Sequence, residues 1–87
     1  ALAARARGRR GSRRRMIAFT LRNRLKDVRA ELGLTQMELA FRVGVSRKTI
    51  NTVENGVFTP STTLALALAA TLGRTVEQLF YLEPANA

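Results

Sequence analysis

Cysteine and histidine are both absent from this 87-residue sequence. Without cysteine, neither a disulfide nor a thiolate metal site can form. Without histidine, the chain lacks the commonest general base and the commonest ligand of transition metals. The six acidic residues do not form the close clusters that a metal or acid–base site needs. We therefore expect a protein that is not an enzyme and that holds no metal or cofactor.

Long apolar segments are absent as well. The sequence has no run of about eighteen apolar residues, the length that a membrane-spanning helix requires. Residues 1–15 carry the positive charge of a signal peptide, but no sustained apolar region follows them. The length allows one domain with a modest core. We expect a single small domain and no membrane partner.

The net charge of +9 is distributed unevenly along the chain. Residues 1–15 contain seven of the fifteen basic residues and no acidic one. The rest of the chain has the other eight basic residues and all six acidic ones, a balance of only +2. Total charge alone is therefore a weak argument for nucleic-acid binding, because most of it lies in the tail.

The tail at residues 1–15 contains only alanine, leucine, glycine, serine and arginine. This composition cannot form a core, so we expect the tail to be disordered in isolation. Two interpretations remain open. The tail is either a basic arm that contacts nucleic-acid backbone, or an upstream extension without an evolved role, with Met16 as the natural start.

Five short helices are predicted after the tail. Apolar stripes, Ser or Thr at four of the starts and glycines at the ends indicate helices at residues 21–32, 35–43, 46–55, 61–72 and from Thr75 onward. A weak strand pattern precedes them, where Ile17, Phe19 and Leu21 alternate with other residues. The local signals agree, so we predict an all-α fold for residues 16–83 and a frayed terminus at 84–87.

The segment "GVSRKTINTVENG", residues 44–56, has two different faces when drawn as a helix. Ile50 and Val53 lie on one face, and the opposite face carries cation, amide and hydroxyl groups from Arg47, Lys48, Asn51, Thr52 and Asn55. Such groups can hydrogen-bond base edges in a major groove. By itself, this pattern is more often an ordinary solvated surface. The capped helix before it and the short "GVS" connection favour the crossed arrangement of a helix-turn-helix unit.

The longer segment "LKDVRAELGLTQMELAFRVGVSRKTINTVENGVFTPSTTLALALAATLG" resembles the Cro and lambdoid-repressor type of helix-turn-helix regulators, the XRE family. The strongest matches are "GLTQ", "ELA", "VGVSRKTI" and "ENG", and the resemblance covers roughly residues 21–82. It is greatest to the very small, single-domain members. It implies a five-helix, lambda-repressor-like domain with its motif at 35–54 and its recognition helix at 46–55. It also implies a cytoplasmic, nucleoid-associated protein of a prokaryote.

The resemblance implies roles for individual residues. Bases would be read by Arg47, Lys48 and Thr52, with Asn51 assisting. Phosphates would be bound by Thr35, Gln36 and Ser46, which lie at helix starts. Many relatives carry basic residues after "ENG", where this chain has "VF". Further phosphate contacts would therefore come from Arg42, Arg22, Asn55 or the tail.

A structural ion pair is also implied. Glu54 matches a family residue that pairs with an arginine of the first helix, which is Arg29 in this sequence. On the helix wheel, Glu54 lies beside the core. We therefore expect this pair to be partly buried and structural rather than DNA-contacting.

The fourth predicted helix contains "LALALAA", which is apolar on almost every face. A chain this small cannot cover such a helix on all sides, so we predict a symmetric dimer. Its interface would include Phe58, Leu64, Leu66, Phe80 and Tyr81. The alternative is a slightly apolar surface, since exposed alanines cost little.

Met37 and Phe41 lie four residues apart on the outer face of the second helix, where relatives usually have polar residues. We expect a neighbouring segment to shield them, with residues 17–19 as the candidate. The alternative is a patch that binds a partner protein.

Three functions remain in competition. The preferred one is sequence-specific binding of double-stranded DNA by a dimeric transcriptional regulator, with repression as the preferred effect. The second keeps the fold but makes protein contact the main task, as in an antitoxin or a coactivator-type module. The third is binding of RNA or a membrane surface through the tail, and it is the least favoured.

Overall fold

The computed structural model describes residues 18–84, which form five helices and a two-stranded antiparallel sheet. In chain order the elements are β1 (Phe19–Asn23), α1 (Leu25–Glu31), α2 (Gln36–Val43), α3 (Arg47–Glu54), α4 (Thr62–Leu72), α5 (Val76–Leu79) and β2 (Phe80–Pro84). The tail at residues 1–15, with both of its interpretations, lies outside the described residues, as do residues 85–87.

Side-chain caps begin four of the five helices. In each, a hydroxyl accepts a hydrogen bond from the backbone N–H three residues later, and the four residues are Thr35, Ser46, Ser61 and Thr75. At the start of α2, Thr35 also donates its own N–H to the Glu38 carboxylate at 2.8 Å. These two bonds form a capping box at the start of α2.

One apolar core joins all five helices. Its buried side chains come from each helix and from the first residue of β2, and the most deeply buried are Leu25, Leu39, Ile50, Val53, Leu68 and Leu79. All twelve residues of this core are apolar. Most helix-spaced apolar residues of the sequence therefore face a shared interior, but Leu32, at the end of the first predicted helix, is 44% exposed.

The sheet corrects the predicted all-α fold class. β1 and β2 pair with Leu21 opposite Leu82 and Phe19 opposite Pro84, so the strands join the two ends of the described chain. Leu21 therefore belongs to a strand, and the first helix begins at Leu25. Pro84, predicted to be frayed, ends β2. Four of the five β2 residues are exposed, so β2 has no alternating pattern that would reveal it in the sequence.

Two predicted dimer contacts are wrong. Leu64 and Phe80 are only 9% and 7% exposed, because both side chains pack into the core of their own chain. Phe58, Leu66 and Tyr81, the other three predicted contacts, remain exposed. The face of α4 that carries Leu64 is therefore already covered by the rest of the chain.

The expected shielding of the outer face of α2 is also wrong for the described residues. Phe41 is 86% exposed and Met37 is 63% exposed. The β1 strand, which includes Phe19 of the proposed cover, pairs instead with β2. An apolar patch therefore remains uncovered on α2.

The capping box predicts a pH-dependent contribution to stability. The backbone N–H of Thr35, and then its hydroxyl, stabilise the carboxylate and lower the pKa of Glu38 below its ordinary 4.5. A lowered folded-state pKa stabilises the fold above pH 4.5, and that contribution is lost as the pH falls through the folded-state pKa. Glu38→Gln keeps an oxygen acceptor but has no charge to lose.

We expect wild type to melt at a higher temperature than Glu38→Gln near neutral pH. The difference should shrink as the buffer is acidified below the ordinary glutamate pKa. Thermal melts of both proteins from neutral to acidic pH would measure this difference. If the melting temperatures of the two proteins change in parallel with pH, the charge of the capping carboxylate does not contribute to stability.

Candidate nucleic-acid interface

A three-residue turn sets the angle between α2 and α3. Gly44 has a φ of 77°, in the left-handed region that glycine adopts without strain. The next residue, Val45, donates its N–H to the Ala40 carbonyl at 3.0 Å and so closes the end of α2. Ser46 then caps α3. A three-residue turn that contains a glycine is typical of the helix-turn-helix motif.

The α3 helix has one buried and one open face, as the sequence predicts. Ile50 and Val53 are 0% and 1% exposed and hold the helix against the core. Arg47 and Lys48 are exposed on its first turn. An α-helix with its side chains is about 10–12 Å across and the major groove of B-DNA is about 12 Å wide, so α3 can enter such a groove.

A nearly buried ion pair fastens α3 to α1. Arg29 contacts Glu54 through both Nε and Nη2, at 2.6 and 3.2 Å, so the pair is bidentate. The Glu54 side chain is 2% exposed and that of Arg29 is 14% exposed. The Glu54 hydrogen bond raises the pKa of Arg29, against the opposing effect of burial. Arg29 Nη1 also donates to the Leu34 carbonyl at 2.9 Å, which holds the loop before α2.

Gln36 connects this ion pair to the open face. Its Nε2 donates to Glu54 Oε1 at 2.9 Å and to Asn51 Oδ1 at 3.2 Å. Its Oε1 accepts from Arg47 Nη1 at 2.9 Å. Sequence reasoning assigned Gln36 only to phosphate, and no pattern in the sequence signals that its side chain bridges α2 and α3.

Thr52 presents a restricted set of groups. Its hydroxyl donates within its own helix, to the carbonyl oxygens of Lys48 and Thr49 at 3.0 Å each. The hydroxyl proton is therefore used, and the side chain offers its methyl group and an acceptor lone pair to a ligand. The amide of Asn55, at the end of α3, donates to Asn51 Oδ1 at 3.4 Å.

The residues predicted to bind phosphate include hydroxyl residues that cap helices and arginines that lie elsewhere. The side chains of Thr35 and Ser46 accept hydrogen bonds from backbone N–H groups as caps, so they lie at helix starts as expected. Arg42 is exposed near the end of α2. Arg22 lies apart on β1, where its Nε contacts Glu83 at 2.8 Å and this bond raises the pKa of Arg22.

Sequence reasoning also missed Asn23, which positions the end of α3. Its Nδ2 donates to the Val53 carbonyl at 3.0 Å, and its Oδ1 accepts from the N–H of Leu25 at 3.0 Å. One side chain thus starts α1 and holds the last turn of α3.

The electrostatics of the open face follow from these contacts. Glu54 is the only acidic residue of α3, and Arg29 neutralises it. Neither Arg47 nor Lys48 forms an ion pair with another residue between 18 and 84. The open face of α3 therefore carries uncompensated positive charge together with amide and hydroxyl groups.

A helix-turn-helix family model matches residues 25–79, which includes all five helices. The chain belongs to this helix-turn-helix family, of XRE type. The resemblance of the sequence to that family is thus confirmed, and the fold is a helical helix-turn-helix domain with five helices and a small two-stranded sheet.

Relatives from archaea and bacteria are similar over most of their length. An uncharacterized HTH-type transcriptional regulator of Methanothermobacter thermautotrophicus is 48% identical over 64 residues, which cover 72% of this chain and 93% of that protein. The HTH-type transcriptional regulator YgzD of Bacillus subtilis is 36% identical over 66 residues, which cover 76% of this chain and 100% of YgzD.

Solved structures show the same fold. A candidate DNA-binding protein of Bacteroides fragilis superposes with a TM-score of 0.65 and 31% identity, over 70% of this chain and 98% of that one. The clp gene regulator ClgR of Corynebacterium glutamicum superposes with a TM-score of 0.58 and 33% identity. That match covers 60% of this chain but only 55% of ClgR.

Residues 18–84 contain neither a membrane-spanning helix nor a cluster of metal ligands. No helix there is long and apolar enough to cross a bilayer. In the same residues, no three acidic side chains lie close enough together to hold a metal ion.

The ion pair predicts that replacement of two different glutamates by alanine will have very different effects on stability. Glu54→Ala leaves the nearly buried Arg29 without its partner and should lower the free energy of unfolding by about 3–5 kcal/mol. Glu31→Ala is the matched control, since the exposed Glu31 carboxylate contacts Arg74 at 3.2 Å, and it should cost less than about 1 kcal/mol. Urea unfolding of the two variants measures both values, and equal losses would contradict a structural role for the pair.

Proposed function

We propose that this chain binds double-stranded DNA sequence-specifically, as a dimeric transcriptional regulator with α3 in the major groove. The observation that carries this proposal is the open face of α3. This face has uncompensated positive charge and presents the groups that recognise base edges. Family membership supports the same function.

The proposed division of roles follows the geometry. Bases would be read by Arg47, Lys48, Asn51 and Thr52. Phosphates would be bound at the starts of α2 and α3, where Thr35, Gln36 and Ser46 lie, with Arg42 and Asn55 beside them. Arg22 is a weaker candidate, because its contact with Glu83 would have to open.

Substitution of the two exposed cations tests the base-reading role. Arg47→Ala and Lys48→Ala should each reduce discrimination between the best site and a mismatched site by about 1–3 kcal/mol. Competition binding with selected and mismatched duplexes measures this. If both variants keep the sequence preference of wild type, α3 does not read bases through these residues.

Deletion of residues 1–15 is the comparison for that experiment. If these arginines contact DNA backbone, their loss should weaken binding to all duplexes similarly and make affinity less dependent on salt. Sequence preference should be unchanged. Loss of all binding on deletion, with no effect of Arg47→Ala or Lys48→Ala, would instead favour the RNA- or membrane-surface alternative.

Dimerisation is proposed from the exposed apolar surface beside α4. An open groove between α4 and α5 is lined largely by apolar side chains, among them Leu21, Pro60, Ala65, Leu66 and Val76. Leu66 is 57% exposed and Phe58 is 47% exposed. Two copies related by a two-fold axis would place their α3 helices in successive major grooves, about 34 Å apart, on a near-palindromic site.

The dimer has a direct test in the full chain. At micromolar concentration, we expect sedimentation to show a species of twice the 9.6 kDa monomer. Leu66→Glu should shift that equilibrium towards the monomer, because it places a charge in an apolar contact. A purely monomeric wild-type protein would rule the dimer out.

Repression at the nucleoid is the simplest regulatory effect, since a bound dimer can exclude other proteins from the same DNA. A second candidate function is supported by the uncovered patch of Met37 and Phe41 on α2. In this second function, the patch would bind a partner protein, and the chain would act as an antitoxin or coactivator-type module. A neighbouring toxin-like reading frame would favour this second function.

A further inference from the structure

The orientation of the Gln36 amide is determined by its two charged neighbours. The Glu54 carboxylate can only accept hydrogen bonds, so it must face the Gln36 nitrogen, which lies 2.9 Å away. The Arg47 guanidinium can only donate, so it must face the Gln36 oxygen, also at 2.9 Å. Both neighbours require the same orientation, and the reversed amide would lose both bonds.

This orientation extends to Asn51. The second N–H of Gln36 Nε2 points to Asn51, which receives it on Oδ1 at 3.2 Å. Asn55 Nδ2 approaches the same oxygen at 3.4 Å. Because Gln36 offers a donor, Asn51 must turn its oxygen inward, and its own NH₂ group is left for a ligand.

We propose that Gln36 sets the hydrogen-bonding polarity of Asn51, so that position 51 donates to guanine and does not pair with adenine. This inference rests on the proposed DNA-binding function. An asparagine that pairs with adenine uses its amide oxygen and nitrogen together. Here that oxygen accepts from both Gln36 and Asn55, so its two lone pairs are occupied and only a donor remains. Guanine has two adjacent acceptors, O6 and N7, on its major-groove edge, whereas adenine has N7 beside an N6 donor, so guanine is the better match for a donor.

Glu54 is therefore linked to specificity as well as to folding. Its carboxylate orients Gln36, and Gln36 in turn holds Arg47 and Asn51. Three of the four proposed base-reading residues, Arg47, Lys48 and Asn51, then present donors. Gln36 is a positioning residue, because it acts on base preference through the groups it holds.

Selection of sites from random duplexes with the full chain locates the base pair in question. The position whose preference disappears in Asn51→Ala is the one that Asn51 reads. We expect a G·C pair there in the wild-type site, and its replacement by A·T should weaken wild-type binding by about 5- to 100-fold. An A·T preference at that position would overturn the inference, as would no position that depends on Asn51.

Gln36→Met tests the positioning role directly, since it keeps the side-chain length and removes the amide. Without the Gln36 donor, only the longer contact from Asn55 at 3.4 Å holds the Asn51 oxygen, so the preference at that one position should shift from G·C towards A·T. An unchanged G·C preference in a folded Gln36→Met protein would overturn the inference. If thermal melts show that this variant does not fold, the inference is tested by the base preference of the wild-type protein at the position that depends on Asn51. A wild type that selects no sequence at all would reject the proposed function itself.

Discussion

The bidentate pair between Arg29 and Glu54 is the interaction on which the helix-turn-helix depends. It joins α1 to the last residue of α3, and Arg29 also holds the loop before α2 through the Leu34 carbonyl. Three helices thus meet at one nearly buried pair of charges. Such a pair adds little net stability over an apolar contact, but removal of one partner is costly. The pair therefore strongly constrains how α1, α2 and α3 are placed relative to one another.

The same carboxylate links the interior to the surface. Glu54 accepts from Gln36, and Gln36 contacts both Arg47 and Asn51 on the open face. Fixed donors and acceptors lose less entropy on binding than free side chains do. The proposed recognition surface is thus built from a short polar network and not from charge alone. This agrees with the sequence, in which residues 1–15 account for seven units of the net charge of +9.

Much of the architecture could be predicted because its signals are local. Thr35 with Glu38, Ser46, Ser61 and Thr75 start helices, and the apolar residues at helical spacing face the core. The strand pairing could not be predicted, because β1 and β2 lie about sixty residues apart and β2 is mostly exposed. Leu64 was wrongly assigned to a dimer interface for a related reason: the sequence shows that Leu64 is apolar but not that its own chain covers it.

The candidate site divides in the same way. The sequence by itself determined which residues lie on each face of α3, since a helix repeats every 3.6 residues, and family resemblance paired Glu54 with Arg29. Only the tertiary structure decided which way the amides of Gln36 and Asn51 point. That orientation requires side chains from three helices to meet within hydrogen-bonding distance. Hydrogen-bond direction depends on which partner can donate, and this is known only when the partners are brought together.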